Sequence, residues 1–285
     1  MRQTPQQIVI MLMLCASVAS GQLMSPPKST TGGTAPPRMA APAAIKAVVV
    51  RSWGAGSEPP LVWDHLTANW SSYGSIPLYI DATSLHAVSS VTLADLEASG
   101  ADVVIVSDPA GGLNQWSAAD VEALRSYANQ GHPLIGTYIM FQWCSIDNRA
   151  LASLWGLRSD LDYNMGEIPS TAPAGILAPA SCLFDRIVDP LDHGGYPQVC
   201  VPSDLSWDAS DLAGASFFAR STDSRVVVTS YQNGLLHSSY ISSMPEYQPG
   251  DAFDATQFLY NAITCNFHVT PAKRSTWSRV KSLYR

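Results

Sequence analysis

The segment Pro133–Gln142, PLIGTYIMFQ, carries an apolar run into a residue with unusual chemistry for its place. A proline opens the run, Gly136 and Thr137 precede a bend, and Tyr138 occupies the apex that such a layout presents to a cleft. A phenol with a pKa of about 10 is protonated at neutral pH, so Tyr138 suits hydrogen bonding and stacking better than nucleophilic attack. Asp81 and Asp108 each follow a run that reads as a strand. A carboxylate there holds a cation or a ligand, or it caps the next helix. His193 stands in Asp192-His193-Gly194-Gly195 and offers a base, although a solvent-facing loop histidine is the commoner account of such a residue. Trp53, Trp116, Tyr138, Phe141 and Trp143 all fall at or just past strand ends. Their flat faces beside an acid suit a sugar ring or another small polar ligand, and they would equally serve to roof the sheet.

The elements that position these residues alternate. Lys46–Arg51, Ile76–Ile80, Asp102–Ser107 and Pro133–Met140 read as strands, the third apolar throughout its interior as buried parallel strands are. Between them, helices begin near Pro59 and Pro60, at Thr92-Leu93-Ala94-Asp95, and at Ser117-Ala118-Ala119-Asp120, the last two stopped by Gly100 and Gly131. Asp108-Pro109-Ala110-Gly111-Gly112 is a tight loop after the third strand. From Ser159 to Gly214 the periodicity is lost, which reads as a loop-rich insertion. Order returns with strands over Ala215–Arg220, Arg225–Tyr231 and Leu235–Ile241, the last two joined at Gln232-Asn233-Gly234, and with a closing helix over Asp254–Cys265. The expected fold is α/β: a flavodoxin-like, mostly parallel sheet with helices on both faces, C-terminal antiparallel strands and the insertion.

Composition sets the frame around this domain. Residues 1–21 read as a secretory signal, with Arg2 at its start, an apolar core over Ile8–Ala16 and small residues before Gly21. That run is too short to span a bilayer, and no later segment is a better candidate. Residues 22–45, rich in Pro, Ala, Ser, Thr and Gly, read as a disordered linker. Residues 46–268 form the domain, and 269–285 a basic tail with five Lys and Arg and no acid. The expected location is secreted or extracytoplasmic.

Residues 46–268 hold eight basic residues against all 23 acidic ones, a net charge of −15. Such a body repels nucleic acid and anionic membranes. A small molecule or glycan is the expected partner. No C-x-x-C, G-x-S-x-G or H-E-x-x-H pattern occurs, so nothing in the spacing calls for a metal or a cofactor. Cys144, Cys182, Cys200 and Cys265 remain after the signal, and in an exported chain they allow three pairings. The expected pair is Cys182–Cys200, both within the insertion, closing a loop worth ~3 kcal/mol in the chain-entropy model. Asn69-Trp70-Ser71 is a glycosylation sequon.

Two segments resemble class I glutamine amidotransferases. In that family a P-[ILV]-[ILV]-G-[IV]-C-x-G-x-Q strand and elbow carries the cysteine nucleophile. Pro133, Gly136 and Gln142 match it, while Tyr138 stands at the cysteine and Met140 at the following glycine. Downstream the family has F-H-P-E; here Ser243-Met244-Pro245-Glu246 stands in that place, with Met244 at the histidine and Glu246 at the glutamate. The loop carrying Gly111 and Gly112 resembles the family's oxyanion loop. The trehalose-utilisation-like branch, which also lacks the cysteine, is the nearer likeness.

The resemblance implies a glutaminase scaffold without the glutaminase: Tyr138 and Met244 cannot form a thiolate–imidazole pair, and Met140 adds a side chain where the elbow needs none. Two function classes follow. One is a non-catalytic domain binding a small polar ligand, carbohydrate included, at the strand ends through Trp53, Asp81, Asp108, Gly111, Gly112, Tyr138, Trp143, His193 and Glu246. The other is a hydrolase acting through Asp108, His193 or Glu246.

Overall fold

A computed structural model of the chain describes residues 44–51, 62–85, 88–107, 114–137, 140–143, 145–161, 163, 166–167, 174–189, 198–199, 213–221, 226–242 and 254–268. The proposed signal, the linker except its last two residues, and the basic tail therefore lie outside the described residues. So do Trp53, Asp108, Gly111, Gly112, Tyr138, Cys144, His193, Cys200, Met244 and Glu246.

Strands β1 (Ile45–Arg51), β2 (Leu78–Leu85), β3 (Val103–Ser107) and β4 (Leu134–Thr137) alternate with helices α1 (Val62–Tyr73), α2 (Leu93–Ser99) and α3 (Ala118–Asn129). Short strands β5 (Gln142–Trp143), β6 (Ile146–Asp147), β7 (Gly166–Glu167), β8 (Ala174–Ile176) and β9 (Gln198–Val199) follow. The chain then makes β10 (Ser216–Ser221), β11 (Val226–Asn233), β12 (Leu236–Ile241) and α4 (Asp254–His268). One eight-stranded sheet runs in the order β2-β1-β3-β4-β12-β11-β10-β8. The first five strands are parallel and the last three antiparallel, which is the flavodoxin-like order with β12 in its fifth place.

Strand pleating divides the core into two layers. Val48, Val50, Val104, Val106 and Leu134 face α2, α3 and the 3-10 turn Arg149–Trp155. Ala47, Val49, Val103, Ile105 and Ile135 face α1 and α4. The apolar runs of β1 and β3 are continuous because both faces are covered.

The predicted helix starts hold at α2 and α3, where Thr92 with Asp95 and Ser117 with Asp120 form reciprocal capping boxes. Asp120 also accepts from Val91 N at 2.8 Å, so one carboxylate ties the entrance of α2 to that of α3. Gly100 ends α2 at φ 59°, a left-handed turn that glycine enters without steric cost.

Several boundaries depart from expectation. β2 runs from Leu78 to Leu85 rather than stopping at Ile80, so Asp81 lies inside the strand. Val48 pairs with Asp81 and Val50 with Leu85, so β2 bulges here. The Asp81 carboxylate makes the bulge, accepting from Thr83 N and Ser84 N, each at 3.0 Å. The final hairpin turns at Gly234-Leu235, one residue later than Asn233-Gly234, and Gly234 supplies the positive φ of 63°. β4 ends at Thr137, and the chain turns Met140 and Phe141 back into the core. The insertion also gives the sheet its outer strand, since β8 pairs with β10.

The disulfide differs from the expected pair. Cys182 bonds to Cys265, with 5.7 Å between Cα atoms, and not to Cys200. Burial of Leu183 and Phe184 against α4 explains the choice. Asn261 Nδ2 donates to Leu183 O at 3.0 Å and to Asp185 O at 2.7 Å, and Cys265 lies one helical turn beyond it. The sequence separation of 83 makes the bond worth about 4.5 kcal/mol in the chain-entropy model, more than the loop first expected.

Candidate functional site

In an open parallel sheet, ligands bind beyond the carboxyl ends of the strands. Three neighbouring strands change character there at one level. Arg51, Ser107 and Thr137 are in register across β1, β3 and β4, and Thr137 pairs with Ile241 of β12. Arg51, Ser107, Thr137 and the neighbouring Ser242 are fully buried. By strand alternation the first three continue the columns Ala47–Val49, Val103–Ile105 and Ile135, so polar side chains close three apolar columns on the α1 and α4 face. Burying a guanidinium and two hydroxyls is costly unless their bonds are made, so this row is built rather than incidental. β3 stops one residue before Asp108 and β4 one before Tyr138, so the two strands lead side by side to two of the candidate residues.

The loops beyond these ends are stitched by a residue that the sequence reading passed over. Asn148 is buried; its Oδ1 accepts from Trp116 N at 2.7 Å and its Nδ2 donates to Asn114 O at 2.9 Å. Its own N–H donates to Phe141 O at 2.7 Å. One asparagine thereby joins the segment after β3 to the segment after β4. Gln142, the glutamine of the family-like motif, accepts through Oε1 from Tyr163 N at 3.0 Å and so orders the start of the insertion.

The candidate residues fare differently. Asp81 is placed in the outermost parallel strand. Burial raises its pKa, but hydrogen bonds from Ser84 and Thr83 outweigh this and hold the carboxyl below its ordinary value. Its Oδ1 is committed to the bulge. Trp116 and Phe141 are core residues, with Phe141 against Trp155, Tyr163 and Tyr240. Trp143 is placed through its backbone in β5, paired with Ile146. Met140 does not stand over the apex as the resemblance suggests. Its side chain is fully buried and fills the space that a side chain on Gly136 would need. Among the described residues no group of three or more His, Cys, Asp or Glu could hold a metal ion, and no helix is long and apolar enough to cross a membrane. Arg51 and Asn148 had no motif to announce them. The signal for Arg51 was a charge ending a buried apolar strand.

No family model matches the chain, and no curated protein matches it. Solved structures do. Cytoplasmic protein STM3548 from Salmonella typhimurium is 11% identical over 77% of this chain and 98% of its own, with a TM-score of 0.53. A candidate ThuA-like protein from Bacteroides uniformis is 11% identical over 85% of this chain and 98% of its own, at 0.48. A candidate GMP synthase protein from Thermoplasma acidophilum is 11% identical over 84% and 98%, at 0.45. At such identity the likeness is one of fold, a broad link to amidotransferase-like and flavodoxin-like sheets.

Proposed function

We propose that this chain is an exported, degenerate amidotransferase-like domain that binds a small polar ligand, of the sugar class, at the carboxyl ends of its parallel strands. The observation that carries this reading is the buried row Arg51, Ser107 and Thr137, in register beneath the place where the candidate residues begin. It supplies a polar floor in a sheet that is otherwise apolar inside, and concave sites of this kind bind ligands through a few fixed polar groups. The absence of glutaminase chemistry rests on the sequence: Tyr138 and Met244 stand where that reaction needs a thiol and an imidazole. Export is supported by the apolar N-terminal run and by the Cys182–Cys265 bond, because disulfides persist in oxidising compartments.

The test is thermal unfolding of the mature protein against a panel of neutral sugars, sugar acids and amino acids, with ammonia release from glutamine measured in parallel. A saturable rise in Tm that is reduced in Thr137→Val, without ammonia release, is expected. No shift across the panel would sink the binding reading. Robust ammonia release would sink the non-glutaminase reading, and glycoside turnover lost in Glu246→Gln or His193→Ala would replace binding with hydrolysis.

A further inference from the structure

At the other end of the sheet, where the chain enters β2, lies an open cleft of about 500 Å³. Gly74, Ser75 and Ile76 form one wall, the segment Pro179–Arg186 a second, and Tyr260, Asn261, Thr264 and Cys265 of α4 the third. The Cys182–Cys265 bond and the two Asn261 hydrogen bonds fix the second wall to the third, so the cleft is preformed.

Among the described residues Arg186 is the only cation lining it, and its backbone is the clearest departure from ordinary geometry among them. It has φ 63°, and every other described residue with positive φ is a glycine. It follows the 3-10 turn Cys182–Phe184, whose end is closed by Asp185 N donating to Cys182 O and Ile187 N to Phe184 O. Glycine is the ordinary residue at such a left-handed stop, and a residue with a Cβ is strained there. Strain of this kind is retained where the side chain is used.

The guanidinium is only partly used by the fold. Nη1 donates to Ser72 O at 3.1 Å, at the end of α1, which leaves Nε and Nη2. Asp185 lines the same cleft, but no described carboxylate forms an ion pair with Arg186. The other polar groups divide into spent and available. Tyr260 bonds both backbone groups of Ile76, and Thr264 donates to Tyr260 O at 3.0 Å. The Ser181 hydroxyl accepts from Leu183 N and keeps its proton to donate, and the exposed Ser75 hydroxyl has no partner among the described residues. The positive charge also reaches the wall: burial raises the Tyr260 phenol, while the Ile76 backbone and Arg186 pull it back down.

We propose that this cleft binds a small oxyanion, a carboxylate or a sulfate- or phosphate-type group, with the Arg186 guanidinium as charge anchor and the Ser75 and Ser181 hydroxyls as further donors. A guanidinium takes such groups through paired N–H donors, and a fixed cleft lowers the ordering cost of binding. The inference is independent of the function proposed for the opposite end of the sheet.

Calorimetric titration and thermal unfolding with sulfate, phosphate and malonate, at constant ionic strength set by NaCl, test it. The intact protein should show saturable binding, and a Tm rise of about 3–6 °C at ten times Kd. Which anion binds more tightly separates a carboxylate from a tetrahedral ligand. Arg186→Lys should weaken binding about tenfold. Arg186→Gly should abolish it and, by relieving the backbone, leave the anion-free Tm within about 2 °C of the parent or above it. No saturable heat with the intact protein would overturn the proposal, whatever the variants do. So would an equal Tm rise in Arg186→Gly, since salts of these anions stabilise proteins nonspecifically. A Gly variant several degrees less stable would show that the arginine is a fold tether instead.

Discussion

Gly136 and Met140 should behave as one packing unit, and a double-mutant cycle can measure this. A Cβ built on Gly136 would stand 2.9 Å from Met140 Cε and 2.9 Å from Trp155 Cε2, and nearer still to Met140 Sδ. Trp155 cannot easily yield, because it is fully buried and its indole donates to Ser239 O at 3.0 Å. Gly136→Ala therefore has to displace the thioether, at the ~1–3 kcal/mol typical of overpacking. Met140→Ala removes a fully buried side chain and should cost ~2–5 kcal/mol. Made together, the alanine at 136 enters space that Met140 has vacated. The double variant should thus fall short of the summed costs by ~1–2 kcal/mol, within the range seen for contacting residues. Urea unfolding followed by tryptophan fluorescence gives all four stabilities. Additivity to within ~0.5 kcal/mol would refute the reasoning, since it would mean that the methionine does not fill that space. The same packing bears on catalytic reversion. Met140→Gly, the change that the family motif suggests, empties a core position and should lower stability without producing a glutaminase.

Three further outcomes follow from the structure. Non-reducing peptide mapping should join Cys182 to Cys265, and reduction should lower Tm by several degrees; a Cys182–Cys200 peptide would contradict the docking of the 3-10 turn on α4. Asn148→Ala should destabilise by ~2–4 kcal/mol, because it leaves the Trp116 N–H and Asn114 carbonyl without their partner, whereas a change below ~0.5 kcal/mol would show that water replaces it. His237 is buried at the start of β12, and desolvation holds its pKa below the ordinary 6.5. The unfolded chain then binds the proton more readily, so the stability this residue contributes is complete above pH ~6.5 and is lost as pH falls towards the folded-state value. His237→Gln should flatten the stability profile between about pH 7 and 5, and an unchanged slope would assign the acid sensitivity elsewhere.

The alternation of strands and helices was legible because β1 and β3 are apolar on both faces and α2 and α3 begin with complete capping boxes, all local signals. The reach of β2 was not, because Asp81-Ala82-Thr83-Ser84 looks like a strand end and becomes a bulge only when β1 pairs on both sides of it. The disulfide failed for the same kind of reason. Proximity in sequence favoured Cys200, while the true partner is chosen by two buried side chains and one asparagine on α4. At the site, the motif led to the correct strand ends. The polar row of Arg51, Ser107 and Thr137 needs three registers to be known at once, so no single segment displays it. Met140 shows the opposite risk: a motif position can be read correctly while its side chain points into the core.

The pairing of β4 with β12 has a consequence for synthesis. Leu134 meets Ser238, about 100 residues further along the chain. At translation rates of 5–20 residues per second, β4 waits roughly 5–20 s for its neighbour to be made. Throughout that interval β3 and β4 offer an unpaired, apolar edge to any other nascent strand. Delivery to the export machinery in an unfolded, chaperone-held state removes that hazard, and premature folding of residues 44–143 would create it.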